Sequence, residues 1–283
     1  MVMNCSWDTL VSVLPIWLRN VVDKQLEDQL LEVRIRLHRS IELVFKDKSI
    51  WLDRKASIED LAFCINIASK YSPWASPSIS DGFITIEGGH RIGICGNCVM
   101  SENGIRSISP VTSVCVRVAR QFWGISEDLH RFEGSVLIVG APGSGKTTLL
   151  RDLIQSISSR RPECICVVDE KREIFPTLHD QLCFDPGPRT DILSGCGKRK
   201  GIEVCMRNMS PHIIAVDEIT KRDDCAGLLE AGWCGVRILA TAHATDMDDL
   251  YKRPVYKPLI EKRLFDGVVV MNPDKTWYME RLK

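Results

Sequence analysis

The hydrophobic pattern of the chain changes at about residue 130 and therefore predicts two regions. Before that point, stretches such as Glu32–Leu37 (EVRIRL) alternate apolar and charged residues, which is typical of half-buried strands. Beyond residue 134, apolar runs such as Val136–Val139 and Ile213–Val216 alternate with helical stretches, which predicts a mostly parallel sheet covered by helices. We expect a smaller α+β domain over residues 1–130, a linker to about 134, and an α/β domain over residues 134–283.

The same reasoning predicts the elements of the first region. They are helices at Asp8–Leu14 and Ile16–Val22, strands at Glu32–Leu37, Ile41–Phe45 and Ser49–Leu52, a helix from Ser57 that ends before Pro73, a hairpin of Phe83–Glu87 and Arg91–Cys95 around Gly88-Gly89, and a strand at Ser113–Ala119. Ser57 with Asp60 three residues later is typical of a capped helix start. Gln121–Gly134, which carries glycine and charge, is the predicted linker.

The second region predicts further strands and one long loop. The strands are Val136–Val139, Cys164–Val168, Ile213–Val216, Val236–Ala240, and a closing hairpin of Val268–Met271 and Thr276–Met279. Phe184–Gly201 is rich in proline, glycine and charge, so we expect an ordered loop over a site.

Composition narrows the class of protein. The 37 basic and 37 acidic residues cancel, so no global field draws the chain to nucleic acid or to an anionic membrane. No apolar run approaches eighteen residues, and the first residues lack the pattern of a secretory signal. The twelve cysteines include one isolated pair, Cys95 and Cys98, without a second pair at zinc spacing. We expect a cytoplasmic protein whose thiols are packing residues.

The chemistry centres on Ser135–Leu150 (SVLIVGAPGSGKTTLL), which fits the order strand, glycine loop, helix. Its residues match G-x-x-x-x-G-K-[ST] at every fixed position. Glycines allow backbone N–H groups to surround a phosphate, and the helix start adds a positive dipole end. The predicted nucleotide-binding residues are Gly140, Ala141, Pro142, Gly143, Ser144, Gly145, Lys146, Thr147 and Thr148. We expect Lys146 to reach the β and γ phosphates of ATP and the Thr147 hydroxyl to bind Mg²⁺.

Polar residues follow three of the other predicted strands. Asp217 comes directly after Ile213–Val216, as in a Walker B motif, and should hold Mg²⁺ partly through water. Glu218 is placed to orient or deprotonate an attacking water. Asp169-Glu170 is less specific, because these acids can also pair with neighbouring cations on the surface. His243 is interpreted either as a sensor of the γ-phosphate or as a structural histidine.

Three arginines of the first region are candidate arginine fingers. Arg91, Arg117 and Arg120 lie at predicted strand or hairpin ends, where a guanidinium can approach transition-state charge. The alternative is that each is an ordinary surface arginine.

Seven segments together resemble the stage III sporulation protein AA family of endospore-forming bacteria, which is related to the hexameric ATPases of type II and type IV secretion and of pilus assembly. The segments are GGHRIGICG (88–96), GAPGSGKTTLLRDL (140–153), VVDEKREI (167–174), PGPRTDILSGCGKRKGI (186–202), RNMSP (207–211), IIAVDEI (213–219) and ILATAHA (238–244). The resemblance extends over nearly the whole chain.

The resemblance implies an α+β module before a RecA-like P-loop ATPase core, with ATP and Mg²⁺ as ligands and a homo-hexameric ring. By this resemblance, Gly140, Gly143, Gly145, Lys146 and Thr147 form the Walker A motif, and Asp217 and Glu218 form Walker B. Glu170 falls on the acidic box and His243 on the histidine box. Arg207 matches an arginine that the secretion ATPases also carry, and Arg91 and Arg117 match arginines that those relatives direct towards phosphate.

The implied function is that of a Mg²⁺-dependent ATP hydrolase that spore formation requires. Such a motor would drive assembly of, or transport through, a channel from the mother cell to the forespore. Its partner would be a polytopic membrane platform protein, through which any membrane contact would run. The implied place is the cytoplasmic face of the mother-cell membrane around the forespore.

Two other functions compete with this interpretation. A nucleic-acid motor would use basic patches, for which the candidates are Arg34, Arg36, Arg39, Lys198, Arg199 and Lys200. The zero net charge and the lack of an aromatic-interleaved basic run disfavour it. A scaffold that binds nucleotide with little turnover is the second alternative, and Glu218 argues against it.

Overall fold

The computed structural model describes residues 2–69, 82–102, 104–178 and 181–282. The chain divides into two compact units, the amino-terminal unit (Asn4–Arg120 with Thr177–Cys183) and the P-loop unit (Met1–Met3, Gln121–Pro176 and Phe184–Lys283). The predicted linker therefore belongs to the P-loop unit, where its residues form a short strand and a 3₁₀ helix. Among the described residues, no helix has both the length and the apolar character needed to cross a membrane.

Within the described residues up to Arg120 (2–69, 82–102 and 104–120), the chain forms seven strands and three α-helices. They are β1 (Val2–Asn4), α1 (Trp7–Ser12), α2 (Ile16–Arg19), β2 (Leu30–Arg36), β3 (Ser40–Phe45), β4 (Ser49–Lys55), α3 (Ile58–Ala68), β5 (Phe83–Thr85), β6 (Arg91–Ser101) and β7 (Gly104–Arg117), with 3₁₀ turns at Lys24–Leu26 and Glu87–Gly89. Strands β2 to β7 make an antiparallel sheet in the order β4-β3-β2-β7-β6-β5. Alternate residues of the central strands face a core shared with the helices, including Leu10, Leu14, Val33, Ile35, Leu61, Ile92 and Val116.

Most predicted elements of this unit are present, and one difference has a physical reason. The capping box at Ser57 and Asp60 is confirmed, while Pro73 lies outside the described residues. The predicted strand at Ser113–Ala119 is only the end of the fourteen-residue β7. Its pairing with β6 shifts register near Gly96, and such bulges interrupt the alternation that reveals a strand in sequence.

From Gln121 the chain forms β8 (Gln121–Trp123), a 3₁₀ helix (Glu127–Arg131), β9 (Val136–Gly140), α4 (Lys146–Arg160), β10 (Ile165–Asp169), β11 (Thr177–Leu178), β12 (Gln181–Leu182), β13 (Thr190–Ser194), α5 (Lys198–Asn208), β14 (Ile213–Val216), α6 (Arg222–Trp233), β15 (Arg237–His243), α7 (Met247–Lys252), α8 (Lys257–Glu261), β16 (Gly267–Met271) and β17 (Trp277–Arg281). Seven of these strands form a sheet in the order β13-β10-β14-β15-β9-β16-β17. Only β17 runs antiparallel to its neighbour. The fold class predicted from the sequence is confirmed.

The prediction of a loop over Phe184–Gly201 is wrong. Thr190–Ser194 is the edge strand β13, which runs parallel to β10, and α5 begins at Lys198. The sequence of β13, TDILS, is short and half polar, because an edge strand buries less of its surface than a central one. The surrounding glycines and prolines therefore concealed it.

His90 ties two distant segments of the amino-terminal unit together. Its Nε2 lies 3.0 Å from the carbonyl oxygen of Ser6, and its Nδ1 accepts a 3.0 Å hydrogen bond from the amide of Ala119. Since an amide nitrogen only donates, Nδ1 is unprotonated and Nε2–H donates to Ser6. Complete burial lowers the pKa of His90 to about 4. The hydrogen bond to Ser6 opposes this shift, and the positive charge of Arg120 adds to it.

We predict that the amino-terminal unit loses stability as pH falls through the window from about 6.5 to about 4. The unfolded histidine binds a proton in this window while folded His90 stays neutral, so the stability present above pH 6.5 declines. Between pH 7.5 and 5 the free energy of unfolding should fall by roughly 2 kcal/mol from this group. Urea unfolding at the two pH values measures the change. His90→Gln should remove this part of the pH dependence, and an unchanged dependence in that variant would place the titrating group elsewhere.

Candidate functional site

The glycine loop joins β9 to α4 and needs glycine for two different reasons. Gly143 and Gly145 have φ of 76° and 101°, in the left-handed region that favours glycine. At Gly140 a Cβ would lie 2.5 Å from Oγ of Ser144 and 2.8 Å from Cβ of Met271, so close packing excludes a side chain. The loop is thereby folded tightly before the first turn of α4, where backbone N–H groups have no helical partner.

Lys146 closes the loop with its ammonium group. Nζ donates to the carbonyl oxygens of Gly140 and Ala141, at 2.9 Å each, and lies 3.2 Å from Nδ1 of His243. Burial lowers the pKa of Lys146, and the negative charges of Asp217 and Glu218 oppose that shift. Because an ammonium has only donors, Nδ1 of His243 must accept, and the proton of the neutral ring therefore lies on Nε2.

Asp217 is held by hydroxyl groups from two sides. The Thr147 hydroxyl donates to Oδ2 at 2.8 Å, and the Thr241 hydroxyl donates to Oδ1. The same Thr241 oxygen accepts the amide of Glu218 at 2.7 Å. Since Val216 pairs with Ala240, residue 217, directly after β14, lies beside residue 241 of the neighbouring strand β15. One buried threonine therefore fixes both acids that follow β14.

Glu218 lies between two cationic or donating partners. Its Oε1 is 3.0 Å from Nε2 of His243, and its Oε2 accepts a hydrogen bond from Lys171. Partial burial raises the pKa of Glu218, but the bonds from Lys171 and His243 outweigh it and hold the pKa below its usual range. The carboxylate is therefore ionised at neutral pH, as a general base must be.

The two acids at the end of β10, Asp169 and Glu170, have different roles. Asp169 is buried and accepts hydrogen bonds from the amides of residues 173, 174 and 175 at 2.8 to 3.0 Å, so it shapes its own turn. Glu170 instead accepts a 2.5 Å bond from Lys198, which lowers its pKa. Lys198 is itself only 3% exposed. Glu170 thus belongs to the charged cluster rather than to a pair with its chain neighbours on the surface.

Arg207 is not brought into this cluster. It lies in the last turn of α5, nine residues after Lys198, which is roughly 13 Å along the helix axis. Its exposed guanidinium pairs with Glu203 at 2.7 Å.

The candidate arginine fingers belong to the amino-terminal unit and differ in exposure. Arg117 is 61% exposed and lies 3.5 Å from Glu32, while Arg91 stacks on the ring of Phe83 at 3.6 Å. Both remain predictions.

Arg120 does not suit the role of a finger. Its guanidinium is buried and donates to the carbonyl oxygens of Glu27 and Leu30 within its own unit. A group committed to these carbonyls is not presented to a phosphate, so we correct that assignment to a structural one.

Sequence reasoning missed three side chains of the cluster, namely Lys171, Lys198 and Thr241. Thr241 left a signal, because it is a polar residue inside an apolar strand and two positions before His243, on the same side of the strand. The two lysines left none, since each stands in a run of charges whose members are mostly exposed.

The oxygen donors fit Mg²⁺ and the loop fits a phosphate group. The Thr147 hydroxyl and the Asp217 carboxylate lie in contact, and Mg²⁺ takes one or two such protein ligands and completes its shell with water and phosphate. No cluster of three or more His, Cys, Asp or Glu side chains suited to a metal occurs among the described residues. The buried Ser144 hydroxyl in the loop has no hydrogen-bond partner in the described part of the chain.

These contacts define the class of protein. A glycine loop between a buried strand and a helix, with Lys146 at its end and Asp217 beside Thr147, is the arrangement of a P-loop nucleotide-binding core. The parallel sheet that carries it has RecA-like architecture.

The chain belongs to the family described as sporulation stage III, protein AA, whose profile matches residues 7–278. The stage III sporulation protein AA of Bacillus subtilis (strain 168) is 36% identical over 279 residues, covering 94% of this chain and 91% of the relative. The family expected from the sequence is therefore confirmed.

Solved structures of an ATPase and of a pilus retraction motor share the fold. The Legionella pneumophila ATPase DotB matches with a TM-score of 0.61 and 17% identity, over 95% of this chain and 80% of that one. The pilus retraction motor PilT, solved with bound ADP, matches with a TM-score of 0.59 and 13% identity, over 89% of this chain and 76% of that one.

We predict that the Thr241 hydroxyl, rather than its methyl group, stabilises the P-loop unit. Thr241→Val keeps the volume but leaves the Glu218 amide without its acceptor and removes a donor from Asp217, so the free energy of unfolding should fall by about 2 kcal/mol. Thr241→Ser keeps the hydroxyl and loses only a buried methyl, at about 1 kcal/mol. Denaturant unfolding of the two variants ranks them, and a valine variant more stable than the serine variant would contradict the prediction.

Proposed function

We propose that this protein is a Mg²⁺-dependent ATPase motor of a secretion-like channel between mother cell and forespore, and that spore formation requires it. It works as a homo-hexamer in the cytoplasm, at the mother-cell membrane around the forespore, and acts on a polytopic membrane platform protein. The observation that carries the proposal is the continuous set of contacts Lys146–His243–Glu218. It joins the phosphate-binding residue to an ionised carboxylate.

The residues of the site have separate tasks in hydrolysis. The amides of the glycine loop and Lys146 bind the phosphates of ATP, while Thr147 and Asp217 hold the metal. Mg²⁺ supplies charge neutralisation on the β and γ phosphate oxygens. Glu218 orients the attacking water and takes its proton.

His243 couples the two ends of the set. Its Nδ1 accepts from Lys146 and its Nε2–H donates to Glu218, so the ring cannot rotate without losing one bond. When Lys146 turns its donors to phosphate, the ring loses the partner that fixes its tautomer. The hydrogen bond on Glu218 therefore responds to phosphate binding.

The sporulation role and the motor role are supported by relatives. The family is that of a sporulation stage III protein. The B. subtilis relative with that name matches this chain over 91% of its own length. The proteins that share the fold are named as an ATPase and a pilus retraction motor. A ring of subunits pulling on a membrane partner is consistent with both.

The structure does not favour a nucleic-acid motor, because most of the candidate basic residues are already paired. Arg34 and Arg36 lie 2.7 and 2.8 Å from Glu32 and Glu42. In the second patch Lys198 is buried against Glu170, and Arg199 and Lys200 contact acids on α5 and α6. These two candidate patches therefore present little unpaired positive charge to a phosphate backbone.

We predict that Glu218→Gln abolishes ATP hydrolysis and leaves ATP binding intact. The amide cannot take a proton from water, so the rate should fall by about 100-fold or more, while the phosphate-binding residues are untouched. Phosphate release measured over a series of protein concentrations, with and without Mg²⁺, gives the rate, and calorimetry with ATP gives the affinity. The wild-type rate per subunit should rise with concentration as rings assemble.

Glu203→Gln is the matched control, because Glu203 is a partly exposed acid of α5 that contacts Lys200 and Arg207 outside the cluster. It should hydrolyse ATP at the wild-type rate. Equal rates in the wild type and in Glu218→Gln would contradict the proposed enzyme. Normal spore formation in an organism that carries only the Glu218→Gln protein would contradict the role as a sporulation motor, and stimulation by DNA would favour the nucleic-acid alternative.

A further inference from the structure

Arg151 is a buried cation in the second turn of α4, five residues after Lys146. Its Nε donates to the carbonyl oxygen of Ile174 at 2.6 Å and its Nη2 to that of Glu173 at 2.9 Å. The ring of Phe184 lies over the guanidinium at 4.1 Å. The P-loop helix is thus bonded directly to the segment that follows β10.

Asp169 holds the same segment through the opposite kind of backbone group. It accepts from the amides of residues 173 to 175, while Arg151 donates to the carbonyls of residues 173 and 174. Two buried side chains of opposite charge therefore satisfy both the N–H and the C=O groups of one turn, which we call the 169–175 turn. Few arrangements fix a turn more completely without a disulfide or a metal.

Burying the guanidinium of Arg151 costs desolvation free energy, so its position calls for a physical reason. Burial lowers the pKa of Arg151 to about 10, although Asp217 and Asp169 oppose the shift, and the group stays charged at neutral pH. Desolvating an ion costs several kcal/mol unless its partners compensate. An uncharged side chain would fill this space at a lower cost, and it would not bind the turn.

The 169–175 turn carries two side chains of the charged cluster at its exposed end. Lys171 donates to Oε2 of Glu218, and Glu170 accepts from Lys198. The backbone between them is constrained further, because Arg172 has φ of 55° and its amide donates to the carbonyl of Asp169 at 3.2 Å. The position of Lys171 relative to Glu218 is therefore set by the anchored part of the turn.

We propose that Arg151 is a positioning residue: through the 169–175 turn it keeps Lys171 against Glu218, and so ties the P-loop helix to the carboxylate that activates water. This inference rests on the proposed ATPase function. It assigns a role in turnover to a residue that touches neither nucleotide nor metal. A displacement of α4 at the phosphates is carried by Arg151 to the turn and from there to Glu218.

The test uses Arg151→Lys, which keeps the charge but places all its donors on one nitrogen, without the planar fork of the guanidinium. The expected result is a kcat lowered by between about 10- and 100-fold with an ATP affinity within about twofold of wild type, because only the geometry at Glu218 is disturbed. Arg160→Lys is the matched control, since Arg160 is an exposed arginine in the last turn of the same helix, and it should leave kcat unchanged. The full chain is used throughout.

A double-mutant cycle shows whether Arg151 acts through Lys171. Lys171→Met removes the contact with Glu218 at a half-exposed position, so it does not threaten folding. If Arg151 works by placing Lys171, the double variant should have nearly the kcat of the Lys171→Met single variant. Multiplicative effects of the two substitutions on kcat would overturn the inference, as would a parallel loss of ATP affinity.

Amide hydrogen exchange provides a measurement that does not depend on catalysis. In Arg151→Lys the amides of residues 173 to 175 should exchange at least about tenfold faster than in the wild type. Those of Gly124 and Ser126, which Asp152 holds from the next position of the helix, should not change. Unchanged exchange at 173 to 175 would overturn the inference even if the wild type proved unable to hydrolyse ATP, a result that would count against the proposed function alone.

Discussion

The site depends on the position of β15 in the sheet. This strand lies between β9, which leads into the glycine loop, and β14, which leads into the two acids. The side chains of Thr241 and His243 project from the same face of β15. His243 contacts both Lys146 and Glu218, and Thr241 accepts the amide of Glu218. A parallel strand in this place can contact both neighbours at its carboxyl end, where ligands of such sheets bind. If β15 were exchanged with either neighbour, the hydrogen bonds from Lys146 to Glu218 would have no intermediate.

Charge balance within the cluster follows from that geometry. Asp217 and Glu218 carry two negative charges next to each other, and Asp169 adds a third one beneath them. The compensating charges come from Lys146 and Arg151, which both lie on α4, and from Lys171, which follows β10. Lys146 and Arg151 also donate to backbone carbonyl oxygens, whereas Lys171 is held by its ion pair with Glu218. Such shared networks give a low-dielectric site a defined geometry as well as neutrality.

The sequence was informative where chemistry requires fixed spacing and silent where tertiary contacts decide. The glycine loop, Asp217 and Glu218 follow from motif spacing, because phosphate binding demands those residue types in that order. The contact of Lys198 with Glu170 was not predicted, because Lys198 begins α5 in a segment for which we expected a loop. Arg120 was misassigned for a related reason: in sequence a buried arginine is indistinguishable from an exposed one, and burial is decided by carbonyl groups about ninety residues away in the chain.

The contact between Gly140 and Met271 has a consequence for how the protein is made. The floor of the glycine loop is the end of β16, a strand synthesised long after the loop itself. A chain emerging from the ribosome therefore exposes the loop and the first turns of α4 well before the strand that supports them. The glycine loop therefore gains the packing partner that closes it from below only when the chain is nearly complete.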